Sequence, residues 1–297
     1  MSDAQVKGML QSVENLWACF DELIDSLKTA NEWAVKHGAD WTLADVPYHM
    51  MYADRDLVAG ALRRGEDVPS SEQRVQRTLR QLNEWNAAMF ATRPTGQTPE
   101  QSVSQWRAVR NDVRKEIGTL QDEDLMGKRV WFPLVGCGWV PAMVSVGFSL
   151  AHTWSEFIQF RYHLNRSAPE PDPAATHGSV GFLVNLLPAF MNPEAAKGVR
   201  FTAVMAFNGP GGGDWTLRIE DGQGSVTEES ASNPDMVMTQ TPEAFELMRQ
   251  GKLDPAAAMK SGAVQIQGME HMTTYAALFP PPDLDATIEP MGVGALG

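Results

Sequence analysis

Near the middle of the 297-residue sequence, the segment HTWSE sets a histidine, His152, four residues ahead of a carboxylate, Glu156. Residues at that spacing share one face of a helix, so the imidazole and the carboxylate can converge on one ion. A second histidine, His49, stands near the end of DWTLADVPYHMM, at the edge of a helical apolar stripe. Two histidines and one carboxylate form a recognised donor set for catalytic zinc, one that leaves a position open for water or substrate. A plainer reading stands beside this one. His152 and Glu156 would then belong to the solvated face of their helix, with Ser145, Ser149, Gln159 and His163, and His49 would be a hydrogen-bonded core histidine. That face carries no Lys or Arg, unlike an ordinary exposed one.

Other residues with chemical potential are more easily explained by structure. His163, seven positions beyond Glu156, either supports the pair from behind or lies on the surface. Cys137 sits between two glycines in an aromatic stretch, as a reactive thiol or as a small residue in a tight loop. Arg218 lies on an expected strand, where it would bind a substrate carboxylate or simply face solvent. The GPGGG run at 209–213 lacks the Lys-Ser/Thr of a phosphate loop and reads as a hairpin connection.

The elements that must position these residues fall into two halves. The first half is helical. Apolar residues at helical spacing run from about residue 4 to 35, including Val6, Val13, Leu16, Trp17, Phe20 and Ile24. A second helix is expected from Thr42, with Thr42 and Asp45 in capping-box positions and an early Pro47. A third spans about 71–91, and a fourth starts at Pro99 behind the cap Thr98 and runs past Ile117. WFPLVGCGWVP is irregular, and Pro141 then opens a last helix to about Asn165. Such helices with short links suggest a four- or five-helix bundle over residues 1–168. SAPEPDPAATHG reads as a linker, with the boundary near residue 170.

The second half, 176–282, reads as α+β. A helix is expected over about 178–190. Strand-like runs follow at 199–207, 214–220, 225–229, 236–239 and 264–266, with short helices behind Thr241-Pro242 and Asp254-Pro255 and a closing helix at 269–279. The sheet should be mainly antiparallel. Residues 283–297 read as a poorly ordered tail. Seven methionines from Met205 to Met272 fill the core of this half or line an adaptable apolar cavity.

The order of signals carries a resemblance. DWTLRIEDGQGSV, then NPDMVMTQTPEAFELMRQGKLDPAAAMKSGAVQIQG, then a helix ending in Phe279, resembles an SCP2-like sterol-carrier domain. Such domains commonly enclose an apolar tunnel for a lipid or fatty acyl chain. DWTLADVPYHMM resembles the first signature of the DinB-like superfamily, whose metal-ligand histidine would be His49, and HTWSE supplies the late pair, His152 and Glu156. A DinB-like bundle followed by an SCP2-like domain resembles the mycothiol-dependent maleylpyruvate isomerase family of intracellular bacterial proteins. That family's late pair reads Glu-x-x-x-His, so the order is inverted here.

The resemblance implies a divalent metal, usually zinc, held by His49, His152 and Glu156, and a low-molecular-weight thiol such as mycothiol. A thiol at the open position would ionise, because the cation stabilises the thiolate. Adding it to an activated double bond gives cis–trans isomerisation, and displacement of a leaving group gives S-transfer. Two other functions stay open: a lipid- or acyl-chain-binding protein with a non-catalytic bundle, and a domain pair that acts through another protein.

Composition bounds these readings. The net charge of −13 is uneven, −3 over residues 1–169 and −10 over 170–297. Without a basic cluster interleaved with aromatics, such a surface repels nucleic acid and anionic membranes. No run of about 18 apolar residues suggests a membrane span. MSDAQVKGML lacks the basic start and apolar stretch of a signal peptide. Two cysteines in 297 residues make no disulfide framework, so a reducing cytoplasm is the expected compartment.

Overall fold

Five helices among the described residues begin with one device, a capping side chain followed by proline. They are Pro99–Gly118, Pro173–Asn185, Pro193–Ala196, Pro242–Arg249 and Pro255–Ser261, behind Thr98, Asp172, Asn192, Thr241 and Asp254. Each cap oxygen accepts a backbone N–H of the first turn, while proline presets φ where no N–H is needed. The computed structural model describes residues 4–37, 41–134, 136–166, 168–281 and 283–288. It divides into two units, one within residues 1–171 that takes in 284–287, the other within 172–283 that takes in 288.

The first unit runs α1 (Ala4–Asp25), α2 (Ala30–Trp33), α3 (Val46–Ala53), α4 (Gly60–Arg64), α5 (Leu79–Ala91), α6 (Pro99–Gly118), α7 (Asp122–Gly127), β1 (Arg129–Phe132), β2 (Gly138–Pro141) and α8 (Ala142–Leu164). Its core is aromatic. Phe20 of α1 packs edge-on against Trp106 of α6 at 5.2 Å and against Phe157 and Phe160 of α8 at 5.9 and 5.2 Å. A π-helical turn, Asp54–Ala59, joins α3 to α4, and there the Ser145 hydroxyl donates to the Leu57 carbonyl at 2.9 Å. α8 is buried around most of its circumference, Ser145, Ser149, Glu156 and Gln159 included. Its polar face is therefore interior, which removes the solvated-face reading.

Several expected boundaries move. The first helix ends at Asp25, and a separate one-turn helix follows behind a Thr29/Glu32 capping box. The second begins at Val46 rather than Thr42. Asp45 accepts from the Thr42 N–H and hydroxyl, both at 2.8 Å, which closes a turn ahead of the helix instead of capping a helix at Thr42. Residues 73–78 are not helical, because the Gln76 N–H donates to the Pro133 carbonyl at 2.7 Å and its carbonyl accepts from Gly136 at 2.9 Å. The stretch expected as irregular contains the antiparallel pair β1–β2, with Trp131 opposite Trp139.

The second unit runs α9 (Pro173–Asn185), α10 (Pro193–Ala196), β3 (Arg200–Phe207), β4 (Gly213–Glu220), β5 (Gln223–Thr227), β6 (Met236–Gln240), α11 (Pro242–Arg249), α12 (Pro255–Ser261), β7 (Val264–Gln267) and α13 (Met272–Leu278). The sheet order is β5-β4-β3-β6-β7. All neighbours are antiparallel except β3 and β6. Trp215 of β4 is buried against Phe207 at 5.4 Å, and Phe207 meets Phe245 of α11 at 5.2 Å. The expected linker is helical from Pro173, because Asp172 caps it and the Ala-rich run continues the helix. Of the expected tail, Leu284 and Asp285 meet Arg80: its N–H donates to the Leu284 carbonyl at 2.9 Å and its guanidinium pairs with Asp285 at 2.5 Å. Residues 289–297 lie outside the described residues. No helix among the described residues is long and apolar enough to cross a membrane.

Candidate metal centre

α3 and α8 each carry part of a buried polar cluster through an apolar core. Val46, Met50 and Met51 bury α3, and Ala151, Trp154 and Phe157 bury α8. Between them the His49 Nε2 and His152 Nε2 atoms stand 2.9 Å apart. Glu156 Oε1 lies 3.9 Å from His152 Nε2, as the four-residue spacing requires. One ligand atom from each of the three residues falls within 4.8 Å of the other two. Around a tetrahedral zinc ion with bonds near 2.0–2.2 Å, neighbouring donors lie about 3.3–3.5 Å apart, so shifts of about 1 Å fit the three to one ion.

Protonation states suit the same role. Burial and the nearby His152 push the His49 imidazole down to about 3, so it is neutral and keeps a lone pair at physiological pH. Burial pushes the Glu156 carboxyl up, but His37, His49 and His152 outweigh it and bring it down to about 2. A metal takes a neutral imidazole and an ionised carboxylate. His49 Nδ1 is buried with no hydrogen-bond partner among the described residues. The chemistry of the donor set fits a divalent transition metal.

Aromatic rings close around the cluster. Phe148 stacks on His152 at 4.9 Å with 16° between planes. Trp41 lies 4.8 Å from His49, and Phe90 packs edge-on against Trp41 at 4.7 Å. One polar neighbour was not legible in the sequence. His37, buried to 5% exposure, places Nε2 2.9 Å from Glu156 Oε2. It lies in the VKHGADW segment outside any long helix, so no periodicity tied it to the pair. His163 comes next to it, with ring centroids 5.3 Å apart.

The remaining candidates lie elsewhere. Cys137 stands directly ahead of β2, where its N–H donates to the Leu134 carbonyl at 3.0 Å. Arg218, in the second unit, is held by Glu229 at 2.7 Å and Thr227 at 2.8 Å across the β4–β5 pair. The GPGGG run connects β3 to β4; Gly209 and Gly211 have positive φ, and a Cβ on Gly212 would sit 2.0 Å from the Phe207 carbonyl. Met205 and Met236 are core residues of the sheet, whereas Met269 is exposed.

A search of solved structures aligns a histidine-to-alanine variant of the mycothiol-dependent maleylpyruvate isomerase with 95% of this chain and 99% of its own, at a TM-score of 0.51 and 11% identity. The chain has the fold of the mycothiol-dependent maleylpyruvate isomerase. At that identity the likeness to the isomerase is one of fold. Within it, residues 185–280 match the SCP-2 sterol transfer family. Among curated proteins, hydroxysteroid dehydrogenase-like protein 2 from Pongo abelii is 29% identical over 101 residues, and that from Bos taurus 26% over 106. These matches cover 34% and 35% of this chain, and span 24% and 25% of the relatives.

Proposed function

We propose that this protein is a metal-dependent, thiol-using enzyme of the isomerase or S-transferase kind. In this reading His49, His152 and Glu156 hold one divalent ion, zinc by donor type, and the substrate-side partner is a low-molecular-weight thiol such as mycothiol. The observation that carries it is the convergence of three donor atoms within 4.8 Å, those of His49 and Glu156 on buried residues and that of His152 on a half-buried one, from helices about a hundred residues apart in sequence. Zinc would supply Lewis acidity at an open position, where a thiol loses its proton readily. The two imidazoles supply neutral nitrogens, and Glu156 supplies the compensating negative charge. Trp41, Phe90 and Phe148 exclude water from the donors, which strengthens electrostatics there. Thiolate added to an activated double bond permits rotation and is then expelled, so the thiol is returned unchanged. A cytoplasmic location agrees with a thiol cofactor.

The test is elemental analysis of the purified protein beside its His152→Ala variant. Near one zinc per chain, lost in the variant, is the expected result. A native protein free of metal after incubation with zinc would overturn the reading. The match of residues 185–280 to the SCP-2 sterol transfer family favours a second reading, in which the second unit binds a lipid or acyl chain. Mass spectrometry of native protein would then find co-purifying lipid that His152→Ala leaves in place.

A further inference from the structure

Glu156 has two oxygens, and they face different partners. Oε1 points to His152, within the convergent set. Oε2 points to His37 Nε2 at 2.9 Å, and both side chains are buried. His37 itself stands outside the set of mutually close donor atoms. Its place is fixed by the surrounding loop rather than by the carboxylate. Its N–H donates to the Trp41 carbonyl at 3.0 Å, the Leu43 N–H to Val35 at 2.9 Å, and the Ala44 N–H to Trp33 at 3.1 Å. The ring stacks on Trp41 at 6.5 Å with 17° between planes and meets His163 nearly edge-on. An imidazole so held presents Nε2 to one carboxylate oxygen and leaves the other turned to the histidine pair.

We propose that His37 is a positioning residue: the 2.9 Å contact of its Nε2 with Glu156 Oε2 occupies that oxygen, so that Glu156 offers a metal ion Oε1 alone. This rests on the metal reading above. A glutamate free at both oxygens can chelate through both and fill the position a substrate thiol needs. One held at Oε2 binds through a single oxygen and keeps three protein donors with one open position, as in catalytic zinc sites. Partners of this kind commonly contribute 10- to 100-fold in metal affinity.

The test uses the full chain, stripped of metal, as native protein, His37→Ala and His37→Gln. Zinc affinity is read by competition with a chromophoric chelator, and geometry by the visible absorption of Co(II). His37→Ala should bind zinc about 10- to 100-fold more weakly. Its Co(II) band should weaken, because a chelating carboxylate raises the coordination number. His37→Gln keeps an N–H donor and should recover most of the affinity and the native band. Unchanged affinity and spectrum in His37→Ala would overturn the assignment while leaving the metal reading intact. Equal loss in both variants would overturn it too, in favour of His37 as a ligand itself. A native protein that takes up no zinc would overturn both readings. Should His37→Ala fail to fold, the Co(II) band of His37→Gln decides: a native-like band supports the assignment, and a changed one overturns it.

Discussion

Asp54 opens the π-helical turn and is fully buried. Its carboxylate accepts from Trp106 Nε1 at 2.8 Å and from the Ser149 hydroxyl at 3.3 Å. Arg110 stacks over the Trp106 ring at 3.5 Å and adds favourable charge. Burial outweighs all three and pushes the carboxyl up from 3.8 to about 6. A carboxyl raised on folding favours the folded state most below its unfolded value, and that advantage is lost as pH rises through the folded value. The difference of about 2 units corresponds to about 3 kcal/mol. Asp54→Asn keeps an acceptor for Trp106 and does not titrate. Relative to native protein, the variant should therefore gain about 2 kcal/mol between pH 4 and pH 7.5, the rest of the effect lying below pH 4. Urea unfolding at four pH values, with midpoints and slopes compared, measures that change and cancels any constant cost of the substitution. A difference between variant and native protein that stays constant from pH 4 to pH 7.5 would refute the argument.

Acid should act on the metal cluster in the opposite sense. His49 is held near 3 by burial, so below its ordinary 6.5 the unfolded chain takes up a proton that the folded one refuses. Stability of metal-free protein should fall as pH drops from 6.5 toward 3, by several kcal/mol in all. Glu156 adds to this below 4.5, since its stabilising charge is lost on the way to about 2. Thermal melts of metal-free protein between pH 7 and 4 should show a flatter slope in His49→Gln; parallel slopes would contradict the burial argument. In the second unit, Gly262 and Gly268 share a positive φ near 79° and 78° but not their surroundings. A Cβ on Gly268 meets the Asp235 carbonyl at 2.1 Å, while on Gly262 it meets nothing within 4 Å. Gly262→Ala should cost about 1 kcal/mol and Gly268→Ala at least about 2 kcal/mol more, read as melting temperature; equal losses would rule out the close approach.

Much of the second unit was legible because its signals are local. The strands alternate, Asp221-Gly222 both take positive φ in the tight turn, and cap-proline pairs announce α11 and α12. α8 was legible to within a residue or two, since Pro141 sets its start and Asn165, in the left-handed region, its end. His152 and Glu156 were legible as a pair because four residues along a helix fix their geometry before any tertiary contact forms. His37 was not, since its position depends on backbone hydrogen bonds between residues 33–37 and 41–44. The break after Asp25 carries no sequence signal, because Leu27 continues the apolar period past the true end. Residues 73–78 look helical in composition, but contacts around Pro133, far along the chain, override that preference.

β3 sits in the middle of its sheet, yet its two neighbours are reached at very different cost in chain entropy. β4 returns through five residues, whereas Ala203 and its partner Met236 of β6 are separated in sequence by the whole β4–β5 ribbon. Closing the longer loop comes later in folding. Until then one edge of RFTAVMAF, charged only at its first residue and free of proline, has its backbone groups unpaired. That is the composition from which chains add to one another strand by strand. Refolding yield should therefore drop as concentration rises, and the species lost should be aggregates joined through the 200–207 segment, protected there from hydrogen exchange. The native sheet hides its most association-prone strand at its centre, so the hazard belongs to the folding chain and not to the folded protein.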